Sequence, residues 1–152
     1  MQNKNIFKKI IFVGVLVFLF FISSQAYRIH QPVNIKVVNV AGQDVIVDVV
    51  NTIESRAQGL SGRESLAEDE GMLFVFDKPS QNNFWMQGMN FAIDMIWINE
   101  SLEIIYIKKD ATPESFPSMF GPKEDSMYVL EVVSGFSDKN NLKIGDKILF
   151  IY

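Results

Sequence analysis

Hydrophobic positions along the chain fall into short runs separated by turn-forming residues, and most of the runs alternate or are apolar throughout as strands are. Residues 34–40 and 45–50 are rich in β-branched side chains and are joined across Ala41-Gly42-Gln43-Asp44, which reads as a hairpin turn. The period then changes. Ile53, Ala57 and Leu60 fall at i, i+4 and i+7, one face of a short helix, with Thr52 and Ser55 as N-terminal caps and Gly59 and Gly62 limiting its length. Residues 61–71 are polar and acidic and read as a loop. Four strand-like runs follow, at 72–76, 83–89, 93–98 and 102–108, with Asp77-Lys78-Pro79-Ser80 and Asn99-Glu100-Ser101 as separators. Several of these runs are apolar on both faces and so should be central strands covered from each side. Pro113, Pro117, Gly121 and Pro122 make residues 112–125 a long loop. A buried-looking strand at 127–133, a short helical turn at 135–142 and a last strand at 147–151 complete the pattern. The reading is a mainly β domain, a sandwich or barrel with one or two short helices. Its expected core is Phe74, Phe76, Phe84, Ile96, Ile98, Leu130 and Val132.

The first 26 residues follow a different rule. Lys4, Lys8 and Lys9 precede an unbroken apolar run at 10–22, and the small residues Ser24 and Ala26 stand where a signal peptidase reads them. The run is short for a bilayer span, which needs about 20 residues. Extension through residue 26 makes an uncleaved membrane anchor the alternative to a cleaved signal peptide. The division that results is a hydrophobic targeting helix at 1–26, a linker at 27–33 and one domain at 34–152. The domain is expected outside the cytoplasm, periplasmic or secreted, and in contact with the membrane only through its N-terminal segment.

Composition narrows the chemistry. The chain has 152 residues, a size that buries a core without covalent staples, and it has no cysteine. Disulfides, thiol catalysis and cysteine-ligated zinc are therefore excluded. The formal net charge of −4 includes the three N-terminal lysines, so the rest is more acidic still. With only Arg28, Arg56 and Arg63 as arginines, no electrostatic footprint for nucleic acid is present.

The ordered blocks "SRAQGLSGRESLAEDEGMLFVF", "FWMQGMNFAIDMIWI", "YVLEV" and "LKIGD" resemble the domain-of-unknown-function 192 family of small prokaryotic proteins, many of which carry a signal sequence. The resemblance covers about residues 34–151. Gln87-Gly88 stands where the family pattern usually has Lys-Asn, and Ala92 where it has Pro. The resemblance implies a compact, mainly β, jelly-roll-like domain and no established biochemical activity.

Few side chains offer chemistry. The one histidine, His30, lies in the linker, so a Ser-His-Asp triad lacks its base, and neither a phosphate-binding glycine loop nor a metal-ligand pattern is present. No cofactor or metal is expected. Met86, Met89 and Met95 are spaced so as to permit Cu(I) ligation, but read more simply as core packing among aromatic rings. Two acids are more informative. By strand alternation Asp94 shares a face with Ile96 and Ile98, and Glu131 with Val129 and Val133, so both are directed at apolar surroundings. A buried carboxylate needs a partner, and Arg56, beside the apolar stripe of the helix, is the natural one. The simpler reading is a buried ion pair fixing helix to sheet. The sharper one is a pocket in which Arg56 holds an anionic group, the acids hold hydroxyls and Trp85 forms the floor. The ligand-binding candidates are thus Arg56, Trp85, Asp94 and Glu131. Together they favour a non-catalytic module that binds a small molecule or an envelope protein. The alternative is a small hydrolase or lyase using Asp94 and Glu131 as paired carboxylates.

Overall fold

The computed structural model describes residues 34–152, so the expected targeting helix and linker lie outside the described residues. The first chain reversal is made by Ala41 and Gly42, both at positive φ (51° and 82°), as a tight two-residue hairpin turn requires. It joins β1 (Val37–Val40) to β2 (Gln43–Val50) in antiparallel register, with Val40 opposite Gln43. From β2 the chain crosses over through α1 (Ile53–Gln58) and returns as β3 (Glu70–Ser80), parallel to β2. The start of α1 is fixed by a reciprocal cap. Thr52 Oγ1 accepts from the Ser55 amide at 3.1 Å, and Ser55 Oγ accepts from the Thr52 amide at 3.0 Å. Its end is fixed by Gly59, whose φ of 50° turns the chain out of the helix.

The remaining strands, β4 (Ile93–Ile98), β5 (Ile104–Ala111), β6 (Ser126–Val133) and β7 (Ile148–Ile151), pair antiparallel with their neighbours. A single 3₁₀ turn, Pro113–Ser115, follows β5, and a four-residue helix, α2 (Phe136–Lys139), follows β6. All seven strands form one sheet in the order β5-β4-β6-β3-β2-β1-β7. The two edges approach each other at one end, where Ile148 N donates to Leu102 O at 3.0 Å and Ile104 N to Asp146 O at 2.9 Å. Curvature brings the edges together, and the sheet is a half-barrel.

Burial follows from that shape. The concave face carries Val38, Val45, Leu73, Ile96, Leu130 and Val132, closed off by Phe136 and Ile148. The opposite face of β3, β4 and β6 carries Met72, Phe74, Met95, Trp97 and Val129, covered by Leu60, Leu66 and Met86 from the connecting segments. The central strands are therefore buried on both sides, and every residue of β4 is buried. Burying surface at about 25 cal/mol per Å² on both faces makes these three strands the main source of stability.

The mainly β character, the barrel-like arrangement and two short helices inside 53–61 and 135–142 agree with the sequence pattern. Several expectations are corrected: residues 77–80, read as a separator, belong to β3, and the Ile53 and Ala57 face of α1 is exposed. The sheet is single, in place of the two facing sheets of a jelly-roll sandwich. Residues 83–89 form no strand, only an isolated bridge in which Phe84 and Phe120 exchange backbone hydrogen bonds at 2.8 Å. The alternation there came from Phe84 and Met86 packing inward from a loop. Phe74, Ile96, Ile98, Leu130 and Val132 are buried as expected, while Phe76 and Phe84 are half-buried against the second core. The largest fully buried side chain is one the pattern did not single out, Trp97. Its indole N–H donates to Asn82 O at 2.6 Å, which satisfies it without water.

Candidate functional site

Register decides where the two acids go. In the β4–β6 pair Asp94 lies opposite Val132 and Met95 opposite Glu131, and in the β3–β6 pair Met72 lies opposite Glu131. Directly opposed residues project to the same side of a sheet. Asp94 therefore joins the concave face, and Glu131 emerges between Met72 and Met95 on the other. The candidate carboxylates are separated by the sheet itself.

Asp94 is fully buried and well satisfied. Its Oδ1 accepts from the amides of Asp110 at 2.9 Å and Gly135 at 3.3 Å, and its Oδ2 from the amide of Ser137 at 2.8 Å. Gly135 caps α2 without a side chain of its own, so Asp94 supplies from β4 the acceptor that the first turn of α2 lacks. The expected partnership with Arg56 is corrected. Three backbone donors, brought together by the end of β5 and the turn into α2, hold this carboxylate instead.

Glu131 has no such support. It is 4 % exposed, and its Oε2 is buried with no hydrogen-bond partner. Burial pushes its pKa up to about 8, so the side chain carries its proton at neutral pH. The folded state keeps a proton that the unfolded chain would release. Stability attributable to Glu131 is therefore lost as pH rises from the ordinary glutamate range toward 8.

Arg56 lies half-buried on the last turn of α1. Its Nη1 donates to Asn51 O and to Val75 O, each at 2.8 Å, and the guanidinium sits 5.0 Å from the centre of the Phe76 ring. Among the described residues four ion pairs form, and none includes Arg56. The expected ion pair to either acid is thus absent there: two carbonyls and a ring face hold the cation, and the nearby acid, Glu131, is protonated. These contacts tie helix to sheet, as the ion pair had been expected to do.

Arg56 and Glu131 nevertheless share a place. With Trp85 they line a cleft of about 620 Å³ between the end of α1, β3 and residues 81–89. The volume lies within the roughly 300–1,000 Å³ of small-molecule sites. Phe74 and Phe76 give it an apolar wall, and Phe84 meets Phe74 edge to face at 4.7 Å between centroids. The irregular wall 81–89 is stapled at several points. Asn82 Nδ2 donates to Ser126 O at 2.8 Å, Ser61 Oγ to Gln87 O at 2.9 Å, and Gly62 N to Gly88 O at 2.9 Å. Trp85 is 49 % exposed at the lip. Of the four candidate residues, the structure brings three together and places Asp94 on the far side of the sheet. The amide side chains at 58, 81, 82, 83 and 87 went unnoticed in the sequence, because nothing there shows that a loop and a helix end converge.

The DUF192 family model, for the domain of unknown function 192 and described as an uncharacterized ACR, matches residues 36–150, and the chain belongs to that family. Its fold is shared by a Novosphingobium aromaticivorans protein of unknown function, known from a crystal structure. The two are 26% identical over 78% of this chain and 89% of the other, with a TM-score of 0.72. It is likewise similar to a Sinorhizobium meliloti protein described as a candidate transcription regulator, 28% identical over 75% of this chain and 90% of that one, with a TM-score of 0.70. No curated protein matches the chain.

The different support of Asp94 and Arg56 has a measurable consequence. Asp94→Ala orphans three backbone donors and is expected to cost roughly 3–5 kcal/mol in urea melts. Arg56→Ala loses two bonds from a half-exposed group and should cost about 1–2 kcal/mol. Equal losses would contradict this assignment.

Proposed function

We propose that the domain is a non-catalytic module that binds a small ligand outside the cytoplasm, in the cleft shared by Arg56, Trp85 and Glu131. One observation carries the reading: a cleft of about 620 Å³ gathers Arg56, Trp85 and several side-chain amides beside an apolar wall, with an unpartnered carboxyl oxygen of Glu131 buried behind it. Leaving such a group unpaired costs about 1–3 kcal/mol, and keeping it protonated beneath the wall leaves that side of the cleft uncharged. The pre-formed, apolar-walled shape of the cleft supports the same view.

The opposite faces occupied by Asp94 and Glu131 count against the hydrolase or lyase alternative, since paired carboxylates must flank one bond. The description of the Sinorhizobium protein as a regulator does not carry over to nucleic-acid binding, because this chain is acidic, with 18 carboxylate residues against 14 lysines and arginines. The lysine-flanked apolar start supports export.

Ligand binding is checked by melting the full-length protein with separate pools of neutral sugars, amino acids, short carboxylic acids and inorganic phosphate. At least one pool should raise the midpoint, as preferential binding to the folded state demands, and Trp85→Ala should abolish the rise. No shift with any pool would overturn the reading. Export is checked separately: alkaline phosphatase fused after residue 35 should be active, whereas an inactive fusion with the intact chain in the cytosol would refute it.

A further inference from the structure

Within the ligand-binding reading just given, on which this step rests, we infer that the ligand is a neutral oligosaccharide. Its sugar face would be stacked on Trp85, and its hydroxyls held by the cleft amides.

The charge inventory of the cleft argues first for neutrality. Among the described residues, Arg56 and Glu131 are the only ones of ionisable charge along its wall, and no lysine or second arginine is present there. Arg56 Nη1 is already engaged by two carbonyls, which offset the cation before any ligand arrives. The part of α1 that lines the cleft is its C-terminal, carbonyl end, which attracts donors and disfavours anions. A phosphate or carboxylate ligand would meet little of what normally binds one.

The polar groups argue next for hydroxyls. Gln58, Gln81, Asn82, Asn83 and Gln87 line the cleft. A primary amide offers both donors and acceptors, as a hydroxyl does, so the two groups match in either direction. Asn82 spends its amide within the fold, on Ser126 and Ser80, and two others are held so that one end stays open. Gln58 Nε2 donates to Ser61 O at 2.9 Å and Gln81 Nε2 to Lys123 O at 2.7 Å, which fixes where their free oxygens stand. Glu131 lies buried behind these amides and adds no negative charge at neutral pH.

Trp85 supplies the third element. An indole half open to water leaves apolar surface that a ligand gains by covering. Phe116 packs edge-on against it at 5.9 Å between centroids and an interplanar angle of 69°, yet lies outside the cleft lining. The ring is thus steadied from one side while the cleft side stays open. The C–H face of a pyranose is the complement of such a ring: apolar enough to stack on it, with hydroxyls around the edge that reach the amides.

Isothermal calorimetry on the full-length protein tests this with chitotetraose, cellotetraose and maltotetraose as probes. Saturable binding of at least one tetrasaccharide is expected. It should weaken about tenfold or more in Trp85→Ala, be largely retained in Trp85→Phe, and weaken in Gln87→Ala. Unchanged melting midpoints of these surface variants would show that the folds are intact. Binding that survives Trp85→Ala at full strength would overturn the inference by placing the site elsewhere. If no tetrasaccharide binds while amino acids, short carboxylic acids or inorganic phosphate raise the melting midpoint, the saccharide inference fails and the ligand-cleft reading stands. If nothing binds in either experiment, both fall.

Discussion

Burial of the central strands on both faces is the constraint from which the rest follows. In most antiparallel sheets one face meets water, and a polar residue can be turned toward it. Here β3, β4 and β6 have a barrel interior on one side and a lid of connecting segments, with Leu60, Leu66 and Met86, on the other, so β4 offers no solvent-facing position at all. An acid on the doubly covered stretch of these strands, unlike the exposed Glu70 and Asp77 toward the ends of β3, can only be satisfied from within the protein or stay neutral. Asp94 takes the first course and Glu131 the second. The same physical demand has produced a structural clasp on one face and an unpartnered carboxyl on the other.

The two outcomes differ because the chain supplies backbone donors at only one of the two places. At the end of β4 the chain leaving β5 and the turn into α2 present three amides within reach of Asp94. Around Glu131 the cross-strand neighbours are Met72 and Met95, which desolvate without donating. The covering lid stops short there, and the space left over is the cleft. Its irregular wall depends on Trp97, whose buried indole grips Asn82, and on the Phe84–Phe120 bridge. The lid is therefore a loop held to the sheet by specific bonds, consistent with a pre-formed site.

Much of the fold was legible because period-2 alternation and turn residues are local signals. The Ala41-Gly42 reversal, the Thr52/Ser55 cap and the inward direction of each acid along its own strand all depend on neighbours in sequence. What was hidden is pairwise. Alternation shows that Asp94 sides with Ile96, and Glu131 with Val129, but only the register of β4 against β6 shows that these are opposite faces. Residues 83–89 imitate a strand because Phe84 and Met86 do point inward, and a pattern of side chains does not reveal where the backbone hydrogen bonds go. Arg56 does turn toward the sheet, but not beside a buried stripe: Ile53 and Ala57 are exposed and α1 buries no residue, so the helical spacing there marked no core face. The capture of Arg56 by Asn51 O and Val75 O was invisible, since any backbone carbonyl is an acceptor and composition does not mark it.

Glu131 is central to the molecule: a protonated carboxyl, with one oxygen unpartnered, buried behind the wall of the cleft. The most direct test is a pH titration of its carboxyl carbon by NMR in the full-length protein, assigned by loss of the signal in Glu131→Gln. A midpoint near 8 is the predicted result. A midpoint in the ordinary glutamate range, about 4.3, would mean that the side chain is solvated or paired, and would contradict the account at its centre.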